Sequence, residues 1–592
     1  MRRLSMTSHL RIATVFAIVG ALAIVRASSQ APVSPVSSTQ VDQVFSKWTS
    51  TTPGCAVGVS RNGSVVLERA YGMADLEYDV RNTPQTIFEA GSVSKQFTAA
   101  AILLLARDAT LALDDPVRKY VPELPDYGVP LTIRHLLNHT SGLRDWGNVA
   151  AIAGWPRTTR VHTHAHVLDI VSRQKALNFT PGTRWSYSNT GYNLAAIIVS
   201  RVSGQPFAEF TRARIFEPLG MTHTSWRDDY TRVVKGRAIA YSQERDGFHA
   251  DMPFENVHGN GGLLTTVADL LKWTRNFSEP RVGDAAFVHT EQQPGRFNDG
   301  RAHNYAFGLF IGDYKGTREV QHSGSTAGYR AYLADYPDRK VSVAVLCNVG
   351  SGNATQYAHA VADVFLVGSD GGSTGVRLGS DRGQTWVRPG SDGGQTGVRQ
   401  GSDHGGSEQA GSRAERAYTL TDADIKSIVG TFRSKDTFEP LTILTVNGRL
   451  QLAGADGSLL AVSSSRIRLP NGSWLERQGD GFQRIDQFGT VEPYERVSTA
   501  PPDRETLASY AGTYASDEAE VTMTAALDGD SLVLKRRPDS TLRLTPAYKD
   551  AFRAPIGLVR FRRDDRGNVI GLSVSQDRVW DLQFKRVTES TK

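Results

Sequence analysis

At 592 residues the chain is too long for one compact core and is expected to divide into two to four domains. Its 40% hydrophobic and 22% charged content is that of an ordinary globular protein. Two cysteines, Cys55 and Cys347, exclude a disulfide framework and a zinc site built on cysteine alone. The formal charge of +6 would suit an anionic partner, but the N-terminus accounts for most of it.

Residues 1–27 have the pattern of a secretory signal. Arg2, Arg3 and Arg11 supply a basic region, Ile12 to Val25 is an apolar run of 14 residues, and Val25 and Ala27 place small side chains where a signal peptidase inspects. The run is shorter than the roughly 20 residues a membrane span needs. Arg26 beside the cut leaves an uncleaved anchor as the alternative, and no cysteine lies there for a lipid anchor. The expectation is export to the periplasm or the medium, with no stable membrane insertion after cleavage. Cleavage removes four arginines and no acid, which lowers the formal charge to +2, so no nucleic-acid partner is inferred.

Residues 41–366 read as one α/β segment. It opens with alternating runs on either side of Asn62-Gly63, the turn signal of a hairpin. Helical patterns follow, among them Lys95 to Arg107 and Thr190 to Ser203. The segment closes with strand-like EVQHSGS, RAYLADYP and KVSVAVLCNVG, the last two joined at Asp338-Arg339. Strands at both ends with helices between predict one antiparallel sheet completed by both ends of the domain. The two cysteines lie in strand-like runs. They read as buried thiols, or as one disulfide if their strands are neighbours in matched register.

Residues 368–412 repeat with a period of 11, from Gly368, Gly379, Gly390 and Gly401. So little apolar content cannot offset the entropy of ordering, and a disordered linker is expected. Residues 413–498 and 503–592 read as two small β-barrel-like domains. Ile428-Val429-Gly430-Thr431-Phe432 is echoed by Tyr510-Ala511-Gly512-Thr513-Tyr514, and Pro501-Pro502 marks the seam.

Three short motifs carry the chemistry. Ser92-Val93-Ser94-Lys95 precedes an alanine-rich helix, and a spacing of three places Ser92 and Lys95 on one face. A serine hydroxyl needs a nearby base, which a desolvated lysine can be. Tyr187-Ser188-Asn189 adds a phenol able to relay a proton and an amide able to hold a carbonyl. His322-Ser323-Gly324, followed by Ser325, leaves Gly324 without a side chain to obstruct a substrate along the strand.

In this order and at these separations the motifs resemble the penicillin-recognising serine hydrolases, the superfamily of class C β-lactamases, D-alanyl-D-alanine carboxypeptidases and D-aminopeptidases. LALDDPVRKYVPELP, TIRHLLNHTSGL, FEPLGMTHTSW and GNGGLLTTVADLLKW extend the resemblance over 41–366. It implies an α+β fold, a β-lactamase/transpeptidase-like antiparallel sheet flanked by helices with a helical lobe, in which the first and last strands pair. It also implies that Ser92 is acylated, that Lys95 and Tyr187 share acid–base work, and that Asn189, His322, Gly324 and Ser325 bind substrate. The backbone N–H groups of Ser92 and Ser325 would form the oxyanion hole, and no cofactor or metal is required. The expected substrate is a small molecule or peptide, cell-wall fragments among the candidates.

One departure matters. His322 stands where β-lactamases and carboxypeptidases carry lysine, and an unperturbed histidine is mostly neutral at pH 7. A weaker pull on a free carboxylate is therefore expected. That favours D-amino-acid peptides and small esters over β-lactams, with a carboxypeptidase or a non-catalytic sensor as alternatives. Ser94, His135 and His139 are expected to serve local structure, and His162, His164 and His166 a solvated helix start. Tyr192 and Trp273 are expected in packing. Trp146, Trp474 and Trp580 are compatible with either a cleft or a filled core.

Overall fold

Asn62 and Gly63 both take positive φ, 52° and 72°, the turn whose twist matches a hairpin. On either side run β1 (Cys55–Arg61) and β2 (Ser64–Tyr71). At the other end of the domain a meander forms from β3 (Phe310–Tyr314), β4 (Thr317–Thr326), β5 (Tyr329–Tyr336) and β6 (Val341–Cys347). The computed structural model describes residues 35–157, 160–366, 417–455 and 457–587. The expected signal over 1–27 and repeat linker over 368–412 lie outside the described residues.

All six strands make one antiparallel sheet in the order β3-β4-β5-β6-β1-β2. Cys55 sits directly opposite Cys347 on β1 and β6, and the two form a disulfide. Matched register is what decides between bond and free thiols. The edge strand β3 was not anticipated, because five residues are too few to display an alternation.

Side chains alternate across this sheet. Cys55, Val57, Val59, Val343 and Val345 face α1 (Pro35–Val44) and α6 (Ala354–Leu366), whose Val41, Ala358 and Val361 complete that layer. Ala56, Leu333, Ala344 and Leu346 face α5 (Val267–Ser278) and the helical lobe. Gly58 lets α5 lie close, since a Cβ there would sit 3.0 Å from Leu271 and 3.2 Å from Val267. The lobe is built on α2 (Ser94–Arg107), α3 (Trp146–Ile152) and α4 (Asn189–Ser203), with Trp146, Tyr192 and Trp273 fully buried in its core.

The two C-terminal regions share one topology. In each, the first strand pairs with the last: Gly430–Ser434 with Val491–Val497, and Gly512–Ser516 with Val579–Val587. The second region is a closed barrel of eight strands. The first is an eight-stranded sheet whose ends meet, among the described residues, through a bridge between Gln451 and Ser458. The repeated glycines have a shared reason. Gly430 and Gly512 take φ of 146° and 152°, and a Cβ would lie 2.2 Å from the Arg496 guanidinium at the first and 3.0 Å from that of Arg586 at the second, both arginines coming from the last strand. These arginines donate to backbone carbonyls just before the glycines, Val429 and Ala511.

Both β regions dock on the segments that frame the first domain's pocket. Arg184 pairs with Asp436 at 2.5 Å, Arg301 donates to the Phe488 carbonyl, and Trp185 packs on Phe488. From the second barrel, Glu518 pairs with the buried Arg144, which also donates to the Trp580 carbonyl. Trp580 packs on Phe179 of the first domain, and Trp474 stacks with Arg466 on its own sheet, so neither lines a barrel cavity.

Candidate active site

Ser92 lies in a single 3₁₀ turn, Gly91–Val93, that runs directly into α2. Two close backbone approaches set its position. Gly91 has φ of 51°, and a Cβ there would come 2.6 Å from the Ser325 nitrogen. A Cβ on Gly324 would lie 2.0 Å from the Ala90 carbonyl oxygen. Only glycine on both sides lets the serine turn touch β4, and this brings Ser325 beside Ser92. Ser94 braces the turn, donating to the Gly91 carbonyl and accepting from Leu263 N–H.

Lys95 is fully buried in the first turn of α2. Its Nζ lies 3.1 Å from Ser92 Oγ, 3.0 Å from Asn189 Oδ1 and 2.7 Å from the Asn260 carbonyl. Burial, reinforced by the nearby Arg578 cation, holds its pKa well below the usual lysine value. A neutral amine has two N–H groups and one lone pair. Asn189 Oδ1 and the Asn260 carbonyl oxygen can only accept, so the lone pair is left for the Ser92 O–H.

Asn189 opens α4, and its N–H donates to Asp145 Oδ2 at 2.8 Å. Asp145 Oδ1 accepts from the N–H groups of Gly147 and Asn148 at the start of α3. One carboxylate thus fixes the N-termini of two helices. Asn260 is held by Asn193 Nδ2, and Asn193 Oδ1 accepts from Trp146 Nε1.

Tyr187 is positioned by His139. Ser186 N–H donates to the His139 carbonyl and Ser188 N–H to its Nδ1, and the imidazole lies 4.2 Å from the tyrosine ring. Burial raises the Tyr187 pKa above the usual phenol value, although Ser92 and Arg578 pull it down. Its hydroxyl faces Ser92 without closing a hydrogen bond of normal geometry. The ring is covered by two nitrogen-bearing side chains, with Lys95 Nζ at 4.8 Å and the Arg578 guanidinium at 4.7 Å from its centroid.

Ser92, Tyr187, Asn189 and Ser325 line a cavity of about 140 Å³, with Lys95 directly beneath. Gly324 supports the site through its contact with Ala90. His322 is not among the residues that line the cavity, but its ring lies 6.3 Å from that of Tyr187, which does. Along β4 it shares the buried face with Gly324, opposite to Ser325. There its Nδ1 bonds the Ser323 carbonyl and its Nε2 the Tyr305 hydroxyl. Arg157 and Arg578 also line the cavity, two cations that the sequence reading did not place there.

The remaining histidines serve the scaffold. His135 and His166 accept capping hydrogen bonds from Thr132 and Thr163 N–H. His162 bonds the Trp155 carbonyl and His164 the His258 carbonyl. His162 is buried, so the expected solvated helix start does not hold for it. Sequence reasoning missed Asn260, Arg157 and Arg578. Asn260 lies in the GNGG run that carried part of the resemblance, but its role is played by a backbone oxygen. Nothing local distinguishes either arginine.

Residues 41–366 match the family described as Beta-lactamase. The chain is 28% identical over 318 residues to penicillin-binding protein 4* of Bacillus subtilis, spanning 51% of this chain and 69% of that protein. It is 30% identical over 309 residues to the D-aminopeptidase of Brucella ovis, spanning 52% of this chain and 58% of that protein. Its fold resembles the octameric penicillin-binding protein homologue of Pyrococcus abyssi, with a TM-score of 0.50 at 23% identity over 78% of this chain and 99% of the other. With the matched segment covering more than half its length, the chain belongs to the β-lactamase family of serine hydrolases.

Proposed function

We propose that the protein is an exported hydrolase that cleaves amide or ester bonds through an acyl-enzyme on Ser92, with D-amino-acid peptides and small esters as its substrate class. The observation that carries the reading is the three-way contact of Lys95 Nζ, which leaves a lone pair aimed at Ser92 Oγ. Lys95 takes the serine proton as Oγ attacks the carbonyl carbon. The oxygen that gains charge lies against the backbone N–H groups of Ser92 and Ser325, two donors that together stabilise it by several kcal/mol. Tyr187, held as a neutral phenol, gives its proton to the leaving nitrogen or oxygen and recovers one through Lys95. Water then attacks the ester by the same route in reverse. The D-configured preference is supported by the relatives named D-aminopeptidase, and export by the pattern of residues 1–27.

The test uses purified protein and Ser92→Ala with a D-amino-acid anilide, a short-chain nitrophenyl ester and a chromogenic cephalosporin. Turnover of the first two and covalent labelling of Ser92 by a fluorophosphonate are expected, both absent in the variant. An inert wild type that also resists labelling overturns the reading.

A further inference from the structure

Arg578 belongs to the second barrel, yet it reaches the cavity around Ser92. It occupies the tight turn between strands Val569–Gln576 and Val579–Val587. The turn is anchored by its backbone. The Arg578 carbonyl accepts from Asp145 N–H at 3.2 Å and from Asn178 Nδ2 at 3.1 Å, while Trp580 N–H donates to Asn178 Oδ1 and Asn148 donates to Gln576. None of these bonds uses the Arg578 side chain, so the position of the turn does not depend on it.

The guanidinium lies over the Tyr187 ring, 4.7 Å from its centroid, but closes no ion pair of hydrogen-bond length among the described residues. Among the described residues its charged partner is Asp145 at 4.0 Å, beyond hydrogen-bond reach. Both Asp145 oxygens are already accepting from backbone N–H groups. Opposite stands Arg157, which holds Glu255 through two contacts, one of them 2.6 Å. Behind that pair, Arg227 and Arg237 share the buried Glu89. Arg157, Arg227, Arg237 and Arg578 face three carboxylates, Glu89, Glu255 and Asp145, which leaves one positive charge in excess. Among the described residues no acidic side chain lines the cavity.

We propose that Arg578 and Arg157 form a subsite that binds an anionic group of the substrate beside Ser92. The family's site is here joined by a residue some 230 positions beyond the hydrolase domain's last strand, and positive charge enters it from the second barrel. A carboxylate is the chemical class that two guanidinium groups across a small polar cavity recognise, by charge-assisted hydrogen bonds. A substrate with a free ammonium at this position is disfavoured by the same charges. This inference rests on the acyl-enzyme reading of Ser92 for turnover but not for binding, and the experiment separates the two.

Two matched ester pairs locate the anion. On the acyl side, the 4-nitrophenyl monoester of glutaric acid is compared with 4-nitrophenyl butyrate. On the leaving-group side, the acetyl ester of 3-hydroxybenzoate is compared with that of 3-hydroxybenzamide. In one pair, Arg578→Gln is expected to lower the acid-to-neutral ratio of kcat/KM by about tenfold, with Arg578→Lys recovering part of it, as fits one charge-assisted hydrogen bond. Added salt is expected to shrink the wild-type ratio. Independently of turnover, Ser92→Ala is titrated calorimetrically with N-acetyl-D-alanine and its amide, with and without Arg578→Gln. Preference for the acid that Arg578→Gln removes supports the subsite even if the hydrolase reading fails. Turnover whose ratios are unmoved by Arg578→Gln, with acid and amide binding alike, overturns it. So does an equal loss on acid and neutral substrates, the sign of a structural role.

Discussion

The two C-terminal β regions are built alike and used differently. Both pair first strand with last, and both carry a positive-φ glycine under a last-strand arginine. The first touches the hydrolase domain through Arg184–Asp436 and Phe488, contacts that stay partly open to water. The second buries Arg144 against Glu518 with both side chains less than a tenth exposed, and sends Arg578 into the cavity. Shared topology therefore says nothing about shared role. In both copies the turn before the last strand docks on the first domain, but one lays Phe488 against Trp185 and the other sends the Arg578 side chain into the cavity.

The largest expected effect tests whether either β region contributes to the chemical step. Lys95→Ala should lower kcat/KM by about 10²–10⁴-fold, the usual worth of a positioned base, with both β regions still folded by circular dichroism. Activity retained within a few fold would mean that another base serves, and would redirect attention to the barrel side of the cavity. Because Lys95 must be neutral to act, wild-type kcat/KM should rise with pH through its depressed pKa and level off well before the normal lysine range. A limb that titrates near an ordinary lysine pKa would contradict the neutral amine.

Smaller effects distinguish the two docking contacts by chemical denaturation. Arg144→Ala leaves Glu518 buried without its partner, a loss of about 3–5 kcal/mol in the stability of the docked second barrel. Asp436→Ala removes a partly exposed pair at the first β region and should cost no more than about 1 kcal/mol. Equal losses would erase the distinction drawn between the two regions.

The sequence displays the chemistry of this site better than its walls. Ser92 and Lys95 are related by one helical turn, and Asn62-Gly63 by one hairpin, so local spacing suffices to read them. The pairing of β1 with β6 came from the family resemblance, yet the register that joins Cys55 to Cys347 needed the structure. His322 was legible as a residue but not as a direction, since the two faces of β4 are told apart only by what packs on them. Arg578 was invisible for a stronger reason. Its meaning depends on how a separate domain docks, and a Gln-Asp-Arg turn has no pattern that encodes a distant contact. The same holds for the Asn260 carbonyl, because every residue has one.

The central sheet also constrains the order in which the protein can be made. β1 is among the first structured segments to be synthesised, but its neighbour β6 follows it by 292 residues at the disulfide. Until that neighbour arrives, the hairpin of β1 and β2 presents an open apolar edge, ready to pair with any strand that meets it. Contacts of such long range form slowly. The hydrolase domain is thus a unit that cannot be completed in instalments: a ribosome stalled between Ser92 and Val341 releases a chain in which Ser92 is encoded but the strand that joins the two halves of the sheet is missing.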